Sequence, residues 1–77
     1  MVVRVRLTGT LPSLLRRDAA EVMAEVEQGS TLVDVMRAIN VPPQVVMIYQ
    51  VNGKVQRSDF QPEDGDEVVV IPAVAGG

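Results

Sequence analysis

The chain has 77 residues, 47% of them apolar, a net charge of −3, and neither cysteine nor histidine. That is one domain with about enough apolar matter for one core. It excludes thiolate nucleophiles, disulfides, the usual zinc sites and the commonest general base. The acidic balance argues against nucleic acid, which needs a basic face, and mildly favours a basic protein partner. The longest uncharged stretch falls short of the ~20 residues of a membrane-spanning helix, and Arg4 and Arg6 break any early apolar run of a signal peptide. The expectation is a cytoplasmic protein with no membrane or nucleic-acid partner.

Val2–Thr8, VVRVRLT, alternates. Val3, Val5 and Leu7 point one way and Arg4 and Arg6 the other, so this is a half-buried strand. Gly9–Ala19 is a connection in which Pro12 can start a short helical turn; an irregular loop is equally compatible. Glu21–Glu27 alternates again, with Val22, Ala24 and Val26 inward and Met23 outward, giving an antiparallel partner for the first strand. Its glutamates and the arginines of the first strand can share a face. Thr31 and Asp34 have capping-box spacing ahead of Leu32, Val35, Met36 and Ile39, an apolar stripe at helical spacing. The predicted helix covers 32–39. Asn40 suits a left-handed cap, and Pro42–Pro43 forbid continuation.

Val45–Val51 reads as a third strand, and Asn52–Gly53 is a hairpin signal that returns the chain through Lys54–Arg57. Ser58–Glu67 is a turn region in which Phe60 plugs the core edge and Gly65 supplies turn geometry. Glu63, Asp64, Asp66 and Glu67 lack calcium-loop spacing and read as a solvated turn. Val68–Ile71 is apolar on both sides, so it belongs in the middle of a sheet. If Ile71 is buried, Ile71→Ala should destabilise by roughly 2–5 kcal/mol. Strand order β, β, α, β, β, β favours an α+β fold. The expected architecture is a β-grasp, or ubiquitin-like, fold: a mixed five-stranded sheet, one main helix on one face, and the last strand parallel to the first.

The end of the chain departs from core logic. Pro72 cannot donate to a ladder, so regular pairing should fail near it. Gly76 and Gly77 pack nothing and cost backbone entropy to order. Extended, Val74 to Gly77 reach roughly 13–14 Å. A thin thread ending in a carboxylate suits entry into another protein's active site; a plain disordered end is the alternative. The division expected is a domain over 1–73 and a tail over 74–77.

VNGKV at Val51–Val55, DGDEV at Asp64–Val68 and PAVAGG at Pro72–Gly77 together resemble the ThiS/MoaD family of sulfur carriers, over nearly the whole chain. The resemblance implies that a ubiquitin-activating-type adenylyltransferase uses ATP to adenylate the Gly77 carboxylate. A sulfur donor then makes a thiocarboxylate, which passes sulfur to a cofactor precursor through a sulfur-accepting synthase subunit. The long link at Gly9–Ala19 and the position of Pro72 look like the MoaD side, so molybdopterin is favoured over the thiazole of thiamin. Ala73 stands where that branch often has a second proline. No cofactor is expected to be bound, and the protein is a co-substrate, or a synthase's small subunit, rather than an enzyme.

Two other functions fit the same residues. A ubiquitin-like modifier would use the same adenylation and end joined to a lysine; a non-covalent β-grasp binding module would not need Gly76 and Gly77. The expected docking surface is the sheet face away from the helix, with Arg4, Arg6, Met23, Met47 and Tyr49. Pro72, Val74 and Ala75 are expected to contact the partner along the tail.

Overall fold

The computed structural model describes residues 1–14 and 20–73. The strands are β1 (Val2–Leu7), β2 (Glu21–Glu25), β3 (Val46–Val51), β4 (Lys54–Gln56) and β5 (Glu67–Pro72). Between them lie a short helix α1 (Leu11–Leu14), the main helix α2 (Leu32–Ala38) and a 3-10 turn at Pro43–Val45. The sheet order is β2-β1-β5-β3-β4. β5 is parallel to β1 and antiparallel to β3, and the two outer pairs are antiparallel hairpin partners. The β-grasp expectation is met, with α1 resolving the choice left open for the start of the long connection.

Alternation decides which side of each strand enters the core. Val3, Val5 and Leu7 of β1, Val68 and Val70 of β5, Tyr49 and Val51 of β3 and Ala24 of β2 form one buried cluster. Leu32, Val35 and Met36 of α2 and its C-cap Ile39 close it from above, with Leu11 and Val41 at its margin. The last strand is central because both its neighbours need a partner that is apolar on the inner face. Val69 and Ile71, its outward pair, are only half-buried. Ile71 is thus not a core residue, and the condition attached to its substitution is not met.

A seven-residue helix is marginal on its own, so its ends matter. Thr31 Oγ1 accepts from the Asp34 N–H at 3.2 Å, and Asp34 Oδ2 accepts from the Thr31 N–H at 2.9 Å. The N–H groups of Leu32 and Val33 donate to the carbonyls of Phe60 and Ser58. The first turn therefore has no idle donor, and the loop after β4 is tied to the helix. At the other end Asn40 has φ +60°, and the Asn40 and Val41 N–H groups donate to the carbonyls of Arg37 and Met36. That is a Schellman cap, with Val41 packed against Met36 in the same core.

The acidic loop closes the opposite end of the sheet. Asn52 and Gly53 both have positive φ, as a type I′ turn requires. Asn52 Nδ2 donates to Asp66 Oδ1 at 2.9 Å, and Asp64 Oδ1 accepts the Val2 N–H at 2.7 Å. These carboxylates hold turns together. Among the described residues no helix is long and apolar enough to cross a membrane.

Candidate functional site

The outer face of the sheet is built by the residues that alternate with the core. Ladder pairing sets Glu21, Arg6, Val69, Gln50 and Val55 in one row across all five strands. The row on one side of it holds Met23, Arg4 and Glu67, and on the other side Ile71 faces Ile48. Arg6 pairs with Glu21 at 3.4 Å and Arg4 with Glu67 at 3.8 Å. Exposed pairs of this kind contribute at most about 1 kcal/mol to stability. Met23 and Val55 are 60% and 66% exposed. The result is an apolar centre of Ile48, Val69 and Ile71, each half-buried, with a charged margin.

The second part of the site is where the chain leaves the sheet. Thr8 donates to the Val70 carbonyl through both its N–H (3.1 Å) and its hydroxyl (2.8 Å). Gly9 follows at φ +60°, and a Cβ there would lie 3.2 Å from Pro72 Cγ. The Pro72 ring is buried. One residue later the Ala73 N–H donates to the Val45 carbonyl at 2.8 Å. The exit is therefore pinned on two sides, by the β1–α1 turn and by the start of β3. Residues 74–77, which carry the expected Val74, Ala75, Gly76 and Gly77 contacts, lie outside the described residues.

The chemistry inside the described body is sparse. The Asp34 carboxyl is held below the usual carboxylate range by hydrogen bonds from Thr31, the backbone one foremost. Burial pushes the Tyr49 phenol up. Among the described residues no three His, Cys, Asp or Glu side chains gather as a metal site.

The family profile for ThiS matches residues 5–77. The chain belongs to the ThiS family. No curated protein gives a significant match to it. Solved structures share the fold of this ThiS-family chain. SAMP1 of Haloferax volcanii, small archaeal modifier protein 1, is 20% identical, with 100% of each chain covered and a TM-score of 0.79. A Pyrococcus furiosus protein described as molybdopterin converting factor, subunit 1, is 23% identical over 96% of this chain and 99% of its own, with a TM-score of 0.73. A chain from the complex of subunits 1 and 2 of the molybdopterin-converting factor of Helicobacter pylori is 18% identical, with 100% of both chains covered and a TM-score of 0.62.

The ThiS-family body brings together Arg4, Arg6 and Met23 on the outer face, as expected. It removes Tyr49 from that face. Tyr49 is 5% exposed, opposite Val70 in the ladder. The reason is register: the type I′ hairpin pairs Val51 with Lys54, Val51 meets Val68, and alternation carries Tyr49 to the same inner side. VVMIYQV is apolar in both phases, so periodicity alone did not choose. Met47 is exposed but lines a groove with Tyr49 and Val33. Pro72 is likewise a correction. It is the last residue of β5, buried beside Gly9, because a shift between Val46 and Ile48 lets β3 follow β5 to its end. Ile48, Val55, Val69 and Ile71 were missed as outer-face residues. The NG turn held the signal for Val55, since a two-residue loop sets Val55 against Gln50 and so fixes its side.

Proposed function

We propose that this ThiS-family chain is a sulfur carrier acting through the carboxylate of Gly77. The carrying observation is that the family match runs to residue 77, through Gly76–Gly77, while the last described residues pin the chain at Ala73. On this reading residues 1–73 are the body and 74–77 the tether. The carboxylate attacks the α-phosphorus of ATP in the site of a ubiquitin-activating-type adenylyltransferase, and pyrophosphate leaves. Sulfide then attacks the acyl carbon and AMP leaves, which gives the thiocarboxylate directly; a protein persulfide would instead give an acyl disulfide, which a thiol cleaves to release the thiocarboxylate and form a disulfide. A carboxylate is a poor electrophile until it carries such a leaving group, and a residue with a Cβ at 76 or 77 would crowd the acyl carbon. The need for ATP suits the cytoplasm.

The outer face supplies docking. Its apolar centre and the charges of Arg4, Arg6, Glu21 and Glu67 suit an activating enzyme that holds the body while the tether enters. The sulfur then passes to a synthase subunit making a cofactor. Molybdopterin is favoured over thiamin thiazole by the long link after β1; the likeness to molybdopterin-converting-factor subunits fits this reading. The chain is a partner subunit and carrier rather than a catalyst. The modifier reading is kept alongside because the chain shares its fold with SAMP1, and its product would be Gly77 joined to a lysine.

Intact-protein mass spectrometry on chain purified from its native cell tests the proposal. A mass increase equal to one oxygen replaced by sulfur, mapped to Gly77, is the expected result. In parallel, Gly77→Ala should leave folding unchanged and abolish adenylation by the cognate activating enzyme. Retained adenylation would overturn the tether mechanism, and conjugates of Gly77 with lysines would transfer the role to a modifier.

A further inference from the structure

The two sides of β3 are not equally covered. β4 pairs only with Tyr49, Gln50 and Val51, and then stops at Gln56. β3 itself continues back to Val46, and its irregularity on the β5 side falls between Val46 and Ile48. Met47 stands outside both ladders and is 69% exposed. Met47 lines the same groove as Tyr49, and β4 ends before reaching it, so among the described residues this part of the β3 edge has no ladder partner on the β4 side.

The chain beyond β4 opens this edge into a groove. The Ser58 carbonyl accepts the Val33 N–H at 3.2 Å, which draws the segment after Gln56 away from the sheet toward α2. What remains is a cleft of about 500 Å³ with Met47 and Tyr49 along β3, Val33 and Pro43 as apolar walls, and Arg57 at the rim. That volume admits a large apolar side chain with room for peptide backbone. Among the described residues, the Tyr49 hydroxyl is the buried side-chain polar atom that lacks a hydrogen-bond partner, and Tyr49 lines this cleft.

Charge narrows the ligand. Arg57 is the charged residue of the lining, and its ion pair with Asp59 is long, 3.7 Å, between two well-exposed side chains. A pair of that kind is easily exchanged for a better carboxylate. The N-terminal donors of α2 are all engaged, so Arg57 is the group that would meet a negative ligand. The whole chain is acidic, which leaves this rim as a local basic point.

We propose that the groove is a docking site for an extended segment of a partner protein. Its backbone adds to β3 at Met47, one apolar side chain sits between Val33 and Tyr49, and an adjacent Asp or Glu meets Arg57. Strand addition supplies the hydrogen bonds and the cleft supplies side-chain choice. The groove lies on the helix side of the sheet, opposite Arg4, Arg6 and Met23. A protein bound here leaves the outer face open and does not use Gly77. The inference therefore stands apart from the carrier chemistry, and it would let one partner hold the chain while another receives the tail.

The test selects a display library of random octapeptides against the full chain and titrates the selected peptides into isotope-labelled protein. Expected sequences carry an apolar residue beside Asp or Glu. Expected amide shifts fall at Val33, at Val46 to Tyr49 and at Ser58, and the Met47 amide gains protection from exchange. Arg57→Glu, at an exposed position that folding does not need, should weaken binding by about tenfold or more, while Lys54→Glu outside the groove should not. The proposal is overturned by selections that yield no peptide, by peptides whose shifts map to Met23 and Val55, or by concentration-dependent shifts in the groove without peptide, which would mean a second copy occupies it.

Discussion

Gly9 is the position where a single added methyl reports on the exit of the chain. Its φ is +60°, and a Cβ would stand 3.2 Å from Pro72 Cγ. In Gly9→Ala the left-handed backbone costs about 1–2 kcal/mol. A less entropic unfolded chain returns about 0.4–1 kcal/mol. The contact with Pro72 must also relax by a few tenths of an ångström. The net expectation is a loss of about 1 kcal/mol, or roughly 4–8 °C in Tm for a domain of this size. Urea denaturation should show a lower midpoint at unchanged slope. The Ala73 amide should shift, because it is bonded to Val45 one residue beyond the displaced ring. Gly9→Asn keeps the Cβ but tolerates the left-handed backbone better, so it should recover part of the loss and none of the shift. An alanine variant as stable as the wild type, with the Ala73 amide unmoved, would refute the claim that Gly9 and Pro72 together set the exit.

Tyr49→Phe removes a buried hydroxyl that lacks a partner, so stability should rise by about 1 kcal/mol in chemical denaturation; a fall would mean that the hydroxyl is bonded in solution. Val70 is fully buried whereas Ile71 lies half-buried on the outer face. Val70→Ala should therefore cost roughly 2–3 kcal/mol, and Ile71→Ala less than that despite deleting more atoms. The reverse order in thermal melts would contradict the assigned faces. Thr31→Ala removes the helix cap, at a cost of about 1 kcal/mol near neutral pH. Asp34 has a lowered carboxyl pKa because of Thr31. Its contribution is present above the unfolded-state pKa and lost as pH falls through the folded one. The gap between wild type and Thr31→Ala should thus narrow in acid, below the usual carboxylate range, and a gap that widens there would refute the capping box.

The outer face shows where a one-dimensional reading stops. Arg4 and Arg6 were legible because β1 alternates a charge with a β-branched residue, and only one phase can face the core. β3 offered no such contrast: Val46, Ile48 and Gln50 compete with Met47, Tyr49 and Val51 on nearly equal terms. The deciding energy lay elsewhere, in the hairpin at Asn52–Gly53 and in Val68 and Val70, whose pairing fixed the side on which Tyr49 lies. A proline lacks a donor, so the sequence predicts a break in pairing near Pro72. In the fold it needs none, since it is the last residue of β5 and its ring fills space beside a residue without a Cβ.

By itself, the sequence determined the elements whose cause is local. These are the alternating first strand, the capping box and apolar stripe of α2, the left-handed Asn40, the NG turn and the central apolar strand. Each depends on residues within a few positions of one another, where propensity and capping act. The resemblance to ThiS/MoaD proteins was legible there too, because it rests on short runs in order. Tertiary structure alone decided which side of β3 enters the core, that Pro72 is buried, and that β4 ends early enough to leave a groove at Met47. Those outcomes depend on register between strands far apart in the chain, where a one-residue slip reverses every side chain and no local signal records the choice.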